Sequence, residues 1–386
     1  RDEDAVEDDQ HGERKSIAVR TAAIVGNAAC THSRRRDGPR GAWRVEGRLR
    51  PAAETTDLER APMGRIPADV ACFFALAAVA AAQQPPAPPV PKPAAAPAAD
   101  GKVAAAKPAG TIEYFVIDSK LTVQKVNVGV YLPAEYGNEK ERFPVVYFLH
   151  GLFYSARRYW EERRTNVILD ELVNEGKIGP MIVVSFDGMN SMYVNAIDGK
   201  AKWGDFVATE LVQAVDAKYR TIADRASRGI NGDSMGGYGA LNAAFKHPDV
   251  FGSVSAHSAA IYPVDPKQIP ERMLARGEQW KPVYGWPIDV PHWEEWNPLK
   301  EATTLPVETL QKLKIYFDCG DKDRFGFDKS NAELHKILEG RKVEHEWHLR
   351  SGNHGRGYYE EYCPLSFQFH GAVFDAAPKA PANGKH

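Results

Sequence analysis

The sequence predicts an α/β fold: a mostly parallel central sheet with helices on both faces and a Trp-rich insertion. Three observations predict it. Short apolar or β-branched runs recur after residue 142 and end in Gly, Asp, Ser or His, as buried parallel strands do. Helical stretches separate them in the alternation that βαβ units require. In RGINGDSMGGYGAL, residues 228–241, a serine stands between glycines where one such run passes into a small-residue helix.

Before the first strand the chain has little to bury. Residues 1–62 are rich in Arg, Asp and Glu without apolar periodicity, so they read as unstructured, or as an extension upstream of a start at Met63. The run VACFFALAAVAAA, residues 70–82, is shorter than the roughly 20 helical residues that cross a bilayer, and it ends in small residues. Residues 63–82 therefore read as a signal peptide, and a secreted or periplasmic protein without a stable membrane span is expected. The Pro/Ala-rich stretch 83–110 reads as a stiff tether. Globular patterning occupies 111–375, a reasonable size for one domain, and 376–386 reads as a flexible tail.

Within the domain, TIEYFVIDSKLTVQKVNVGVY (111–131) alternates apolar and polar residues and predicts two antiparallel strands at a sheet edge. FPVVYFLHG, MIVVSFDG, RGINGDS, GSVSAHS and KIYFDCGDKD then predict parallel strands, and EHEWHLR the last one. Helices are expected over 157–175, 203–219, 235–246 and 329–339, with a final helix after SGNHG. Residues 257–310 form a long insertion in which Trp280, Trp286, Trp293 and Trp296 crowd together. Those four are candidate walls for an aromatic or sugar ring, or else a lid packed on its own tryptophans.

Composition excludes little but directs attention. With 43% apolar residues the chain can bury a sizeable core, and a net charge of −2 gives no reason to expect a nucleic-acid partner. Of four cysteines, Cys30 and Cys72 fall in the segments expected to be lost. Cys319 and Cys363 remain, read as two separate buried thiols, with a disulfide left open. His345 and His348 lie close in HEWH, but strand side chains three apart face opposite ways and no zinc-type spacing occurs, so no metal is expected. Dinucleotide and P-loop glycine patterns are missing, and no cofactor is expected.

The chemistry gathers where strands end. A serine hydroxyl is a weak nucleophile until a base, usually a histidine oriented by a carboxylate, takes its proton. GDSMGG places Ser234 at a strand-to-helix turn, the form of a nucleophile elbow. After it in chain order come Asp318, Asp321 and Asp323 in IYFDCGDKDRF, and His354 in RSGNHGRGYY. Asp323, past the strand end, is the candidate orienting acid, Asp321 the reserve, and Asp318, still inside the strand, a structural residue. An oxyanion hole needs two backbone N–H groups. Met235, following the serine, supplies one, and Leu152 in HGLFYS is the candidate for the other, with His150 either bracing that loop or simply buried.

FPVVYFLHG, RGINGDSMGGYGALNAAFKHPDVFGSVSAHS, KIYFDCGDKDRF and GNHG together resemble the esterase D or putative-esterase family of α/β hydrolases, over nearly all of 111–375. The resemblance implies an α/β-hydrolase fold, Ser234, Asp323 and His354 as a triad, and Leu152 with Met235 as oxyanion donors. That group holds feruloyl and acetyl-xylan esterases, S-formylglutathione hydrolases, siderophore esterases and mycolyltransferases, so it fixes chemistry better than substrate. The expectation is an exported serine esterase acting on a small or polysaccharide-linked ester of feruloyl or acetyl type. An acyltransferase using the same triad is the alternative. A non-catalytic carbohydrate or cell-surface binding protein is the third reading.

Overall fold

In a computed structural model the structure describes residues 108–274 and 277–377. The segments read as extension, signal peptide, most of the tether and most of the tail lie outside the described residues, with Cys30 and Cys72. The end of the tether is described: Gly110 N–H donates to Asp170 Oδ1 at 2.7 Å, and Asn174 Nδ2 to the Pro108 carbonyl at 2.9 Å.

Strands β1 (Thr111–Ser119) and β2 (Gln124–Leu132) form the expected antiparallel pair at one edge. The chain continues through β3 (Val145–Leu149), α1 (Ala156–Arg163), α2 (Thr165–Asn174), β4 (Ile182–Phe186), α3 (Trp203–Ala208), α4 (Glu210–Lys218), β5 (Arg228–Asp233), α5 (Met235–Lys246) and β6 (Ser253–His257). The insertion carries α6 (Glu271–Leu274), α7 (Gly277–Tyr284), α8 (Val290–Glu295), α9 (Pro298–Thr304) and α10 (Val307–Leu310). Then come β7 (Lys314–Gly320), α11 (Phe327–Gly340), β8 (Glu346–Arg350) and α12 (Arg356–Ala376). The eight strands form one sheet in the order β1-β2-β4-β3-β5-β6-β7-β8, parallel from β4 to β8.

The central strands β3, β4, β5 and β6 are buried at every position, and β3 is apolar throughout. In β3, Val145, Tyr147 and Leu149 join the core under α3, α4, α5 and α11, while Val146 and Phe148 join a second core under α1, α2 and α12. Phe148 stacks on Tyr159 at 3.8 Å between ring centroids, and truncating it to Ala should cost about 3–5 kcal/mol.

Two helices predicted as single pieces are each divided. The 157–175 stretch breaks at Arg164, which takes the left-handed conformation (φ 53°, ψ 34°) between α1 and α2. The 203–219 stretch breaks at Thr209, whose hydroxyl donates to the Asp205 carbonyl four residues back at 2.6 Å. That local bond competes with the helix ladder and bends it. α12 also runs one residue beyond the boundary drawn at 375.

Candidate active site

Ser234 sits between β5 and α5 with φ 58° and ψ −114°, outside the ordinary regions for a residue with a side chain. Neighbouring glycines allow this turn. A Cβ at Gly232 would collide with the backbone of Gly236, and one at Gly236 with the Leu149 carbonyl. Ser234 N–H donates to the His257 carbonyl and Ala260 N–H to the Ser234 carbonyl, both at 2.9 Å, which fixes the turn against β6. The side chain is left pointing out from the carboxyl end of the sheet, where the loops after β7 and β8 also end.

Those loops bring two further groups to it. His354 Nε2 lies 2.9 Å from Ser234 Oγ, and His354 Nδ1 lies 2.8 Å from Asp323 Oδ2. Asn353 Oδ1 accepts from Arg324 N–H at 3.0 Å and from His354 N–H at 2.7 Å, tying the aspartate loop to the histidine loop. Phe325 stands edge-on to the imidazole at 4.8 Å between centroids. Burial raises the Asp323 carboxyl, but hydrogen bonds from His354, Phe325 N–H and the Cys319 thiol, with the charge of His354, outweigh it and hold it below the usual carboxylate range. The carboxylate is therefore an acceptor that holds the imidazole with its Nε2 free to take a proton from Ser234.

The other aspartates of that segment point elsewhere. Asp321 Oδ1 accepts from Gly352 N–H at 3.0 Å, a loop contact. Asp318 is fully buried and takes hydrogen bonds from Tyr316 and Tyr358 hydroxyls at 2.7 and 2.8 Å. It also meets His257 Nδ1 at 3.0 Å, and His257 Nε2 in turn meets Ser366 Oγ at 2.9 Å. This second Ser, His and Asp set lies inside the molecule, and sequence reasoning did not find it because Ser366 has no motif around it.

Ser234 opens onto a cavity of about 260 Å³. Leu152, Phe153, Tyr154, Tyr262, Phe325 and Phe327 give it aromatic and aliphatic walls, and Arg163 and Arg324 add cations. Arg163 was not singled out from sequence. It is buried beside the elbow, its Nη2 3.4 Å from Asp233 Oδ2, between the rings of Tyr154 and Tyr359.

The four tryptophans do not form that wall, which corrects the sequence expectation. Trp280, Trp293 and Trp296 are buried in the core, and Trp286 is exposed on a separate depression with Ile288 and Val290. Trp280 and Trp293 pack behind Tyr262, at 5.0 and 5.8 Å between centroids, so the tyrosine is the ring that faces the cavity. Indole rings of this size are most stable fully buried, and the insertion supplies them with one another.

Leu152 lines the cavity beside Ser234, and Met235 begins α5 immediately after it. His150 is both buried and a brace. Gly188 N–H donates to its Nε2 at 3.0 Å, so Nδ1 carries the proton and donates to the Gly151 carbonyl at 2.8 Å. Burial pushes its pKa down, which keeps the ring neutral. Cys319 and Cys363 are both free, buried thiols. His345 pairs with His335 at 2.8 Å.

The fold has counterparts among known proteins. A family profile described as "Putative esterase" matches residues 119–370. The endo-1,4-beta-xylanase/feruloyl esterase of Xylanibacter ruminicola is 29% identical over 184 residues, 45% of this chain and 25% of that protein. An esterase of Mycobacterium tuberculosis is 32% identical over 135 residues, 34% of this chain and 28% of its own length. The chain thus spans about a quarter of the length of these curated relatives. Among solved structures, a ferulic acid esterase superposes with a TM-score of 0.59 at 26% identity, covering 69% of this chain and 99% of that one. An S-formylglutathione hydrolase from Agrobacterium tumefaciens shares the fold, with a TM-score of 0.57 at 18% identity, over 69% of this chain and 96% of the other.

Proposed function

The chain belongs to the putative-esterase family, and from that premise we propose that it is an exported serine esterase for carbohydrate-linked esters of the feruloyl type. One observation carries the mechanism: a single imidazole reaches Ser234 Oγ at 2.9 Å through Nε2 and Asp323 at 2.8 Å through Nδ1. His354 takes the serine proton as Oγ attacks the ester carbonyl, and Asp323 holds the ring and stabilises the imidazolium. The N–H groups of Leu152 and Met235 meet the negative oxygen of the tetrahedral intermediate. His354 then protonates the departing alcohol, water attacks the acyl-enzyme with His354 again as base, and the acid leaves.

Substrate class rests on the walls. Phe153, Tyr154, Tyr262, Phe325 and Phe327 suit a flat aromatic acyl group, and the likeness to a ferulic acid esterase supports the same class. Export rests on the short apolar run at 70–82; among the described residues no helix is long and apolar enough to cross a membrane.

The test is hydrolysis of p-nitrophenyl acetate, methyl ferulate and acetylated xylan by the full chain beside its Ser234→Ala variant. Turnover lost in the variant and fastest on methyl ferulate is the expected result. Turnover that survives Ser234→Ala would overturn the mechanism, and a preference for acetylated xylan would overturn the acyl class.

A further inference from the structure

The loop after β4, residues 187–193, makes an unusual set of contacts. It grips three successive peptide units of the loop after β3. Tyr193 hydroxyl donates to the His150 carbonyl at 3.0 Å, holding the first unit. Gly188 N–H fixes the His150 tautomer, and the ring holds the Gly151 carbonyl of the second. Phe153 N–H, in the third, donates to Asn190 Oδ1 at 3.0 Å. A fourth bond, Ala156 N–H to Asp187 Oδ1 at 2.8 Å, secures the start of α1.

The middle unit is the one that matters chemically. The Gly151 carbonyl and the Leu152 N–H belong to one planar trans peptide, so fixing the carbonyl fixes where the N–H points. Within the described residues that N–H has no hydrogen-bond partner of its own.

The two loops also hold strain. Phe153, Met189, Met192 and Tyr193 have φ of 64°, 54°, 55° and 56°, left-handed values that are strained for non-glycine residues and persist only where surroundings over-determine them. Tyr193 is over-determined. It is 1% exposed, and its ring lies against Gly188 and against Gly239 of α5, where a Cβ on either glycine would collide with it. α5 is the helix whose first N–H belongs to Met235. One side chain thus touches the helix that carries one oxyanion donor and holds the loop that carries the other.

We propose that residues 187–193 set the geometry of the oxyanion hole, with Tyr193 as its principal positioning residue and Asn190 as the second. This rests on the reading of Leu152 and Met235 as oxyanion donors. Tyr193 touches no reacting atom and acts through the His150 carbonyl. Removing its hydroxyl frees the first peptide unit to rotate, and the Leu152 N–H drifts from the position that the developing oxyanion occupies.

The test uses the full chain with Tyr193→Phe, Asn190→Ala and Ser234→Ala. Its readouts are kcat/KM on p-nitrophenyl acetate, the Kd of phenylboronic acid, which forms a tetrahedral adduct on a reactive serine, and the Tm. A lost oxyanion donor typically costs 10²–10³ in rate, so a loosened one should cost about 10- to 100-fold. Tyr193→Phe is expected to weaken kcat/KM and boronate affinity together by that factor, with Asn190→Ala, on the loop surface, moving both the same way by less. A lower Tm with unchanged boronate affinity would overturn the proposal, because the loop would then serve only the fold. Unchanged values in both variants, with Ser234→Ala inactive, would overturn it while leaving the serine mechanism standing. Activity in Ser234→Ala would remove the mechanism itself, and the proposal with it.

Discussion

Ser234, His354 and Asp323 are connected through the same atoms as Ser366, His257 and Asp318, yet the two sets live in opposite surroundings. Ser234 occupies a strained turn that faces a cavity. Ser366 sits inside α12, fully buried, where its hydroxyl donates to the Cys363 carbonyl and accepts from Asn231 Nδ2. Since its one proton is used on Cys363, His257 can only donate toward it. Asp318 is correspondingly crowded by Tyr316, Tyr358 and Arg350, the last at 3.6 Å. The lesson is that three residue types in hydrogen-bonded order do not make a nucleophile. On the proposed mechanism a nucleophile also needs a free lone pair on the histidine, a cavity and backbone donors beside the serine.

The sharpest way to break the comparison is to exchange the two serines for alanine. Ser234→Ala should lower ester turnover by about 10⁴–10⁶-fold with little change in Tm. Ser366→Ala should keep its activity per folded molecule and lose stability, because unpaired buried donors cost about 1–3 kcal/mol each. Activity assays and thermal denaturation of both variants check this, and an inactive Ser366→Ala of normal Tm would put the buried set into the chemistry.

Next come the acids. Asp323→Asn should reduce kcat by up to about 10⁴-fold, whereas Asp321→Asn, which touches only the Gly352 N–H, should stay near the wild-type rate. Steady-state kinetics of the pair decides between them. Asp318→Asn belongs on the stability side: it strips the counter-charge from Arg350 and one of the hydrogen-bond partners from His257, at a cost of about 3–5 kcal/mol in chemical denaturation, with kcat per folded molecule within a few-fold of wild type.

Smaller effects appear on titration. For Asp318, burial raises the carboxyl but the pairing with His257 and the two tyrosines outweighs it, and its folded pKa is depressed. Its contribution is therefore present above the unfolded carboxylate pKa of about 3.9 and is lost as pH falls toward the folded value. Tm measured from pH 6 down to pH 3 should fall more steeply in wild type than in Asp318→Asn. Glu301 behaves in the opposite sense. Burial pushes its carboxyl up to about 8 despite Lys246 at 3.0 Å, so the folded protein holds a proton that the unfolded chain has released. Stability should fall as pH rises from about 4.3 to 8, by a few degrees of Tm, and Glu301→Gln should flatten that slope.

Which parts could be read in advance follows from how local their signals are. β3 was legible as an apolar run, and β5 and α5 because a strand end, flanking glycines and a small-residue helix encode the elbow within one short stretch. Asp323 was separable from Asp318 because one lies past the strand end and the other inside it. The 187–193 loop was not legible: its left-handed positions are Met189, Met192 and Tyr193, none of the types that ordinarily announce such a backbone. Nor was the burial of the tryptophans, since crowding in sequence gives no sign of which side of Tyr262 they occupy. The breaks at Arg164 and Thr209 were likewise set by single local conformations inside otherwise helical patterns.

The register of the edge pair has a further consequence. Thr111 pairs with Leu132, and Tyr131 with Val183 near the start of β4, so the chain enters the domain at the amino ends of the parallel strands. It leaves there too, since Phe374 and Ala377 border a depression with Pro144, Met181 and Ser227, which immediately precede or lie within one residue of β3, β4 and β5. Ser234 opens at the opposite pole. Both points are therefore on the back of the domain, and coupling it to a solid support beside residue 110 or residue 377 should leave the mouth of the cavity turned toward the medium.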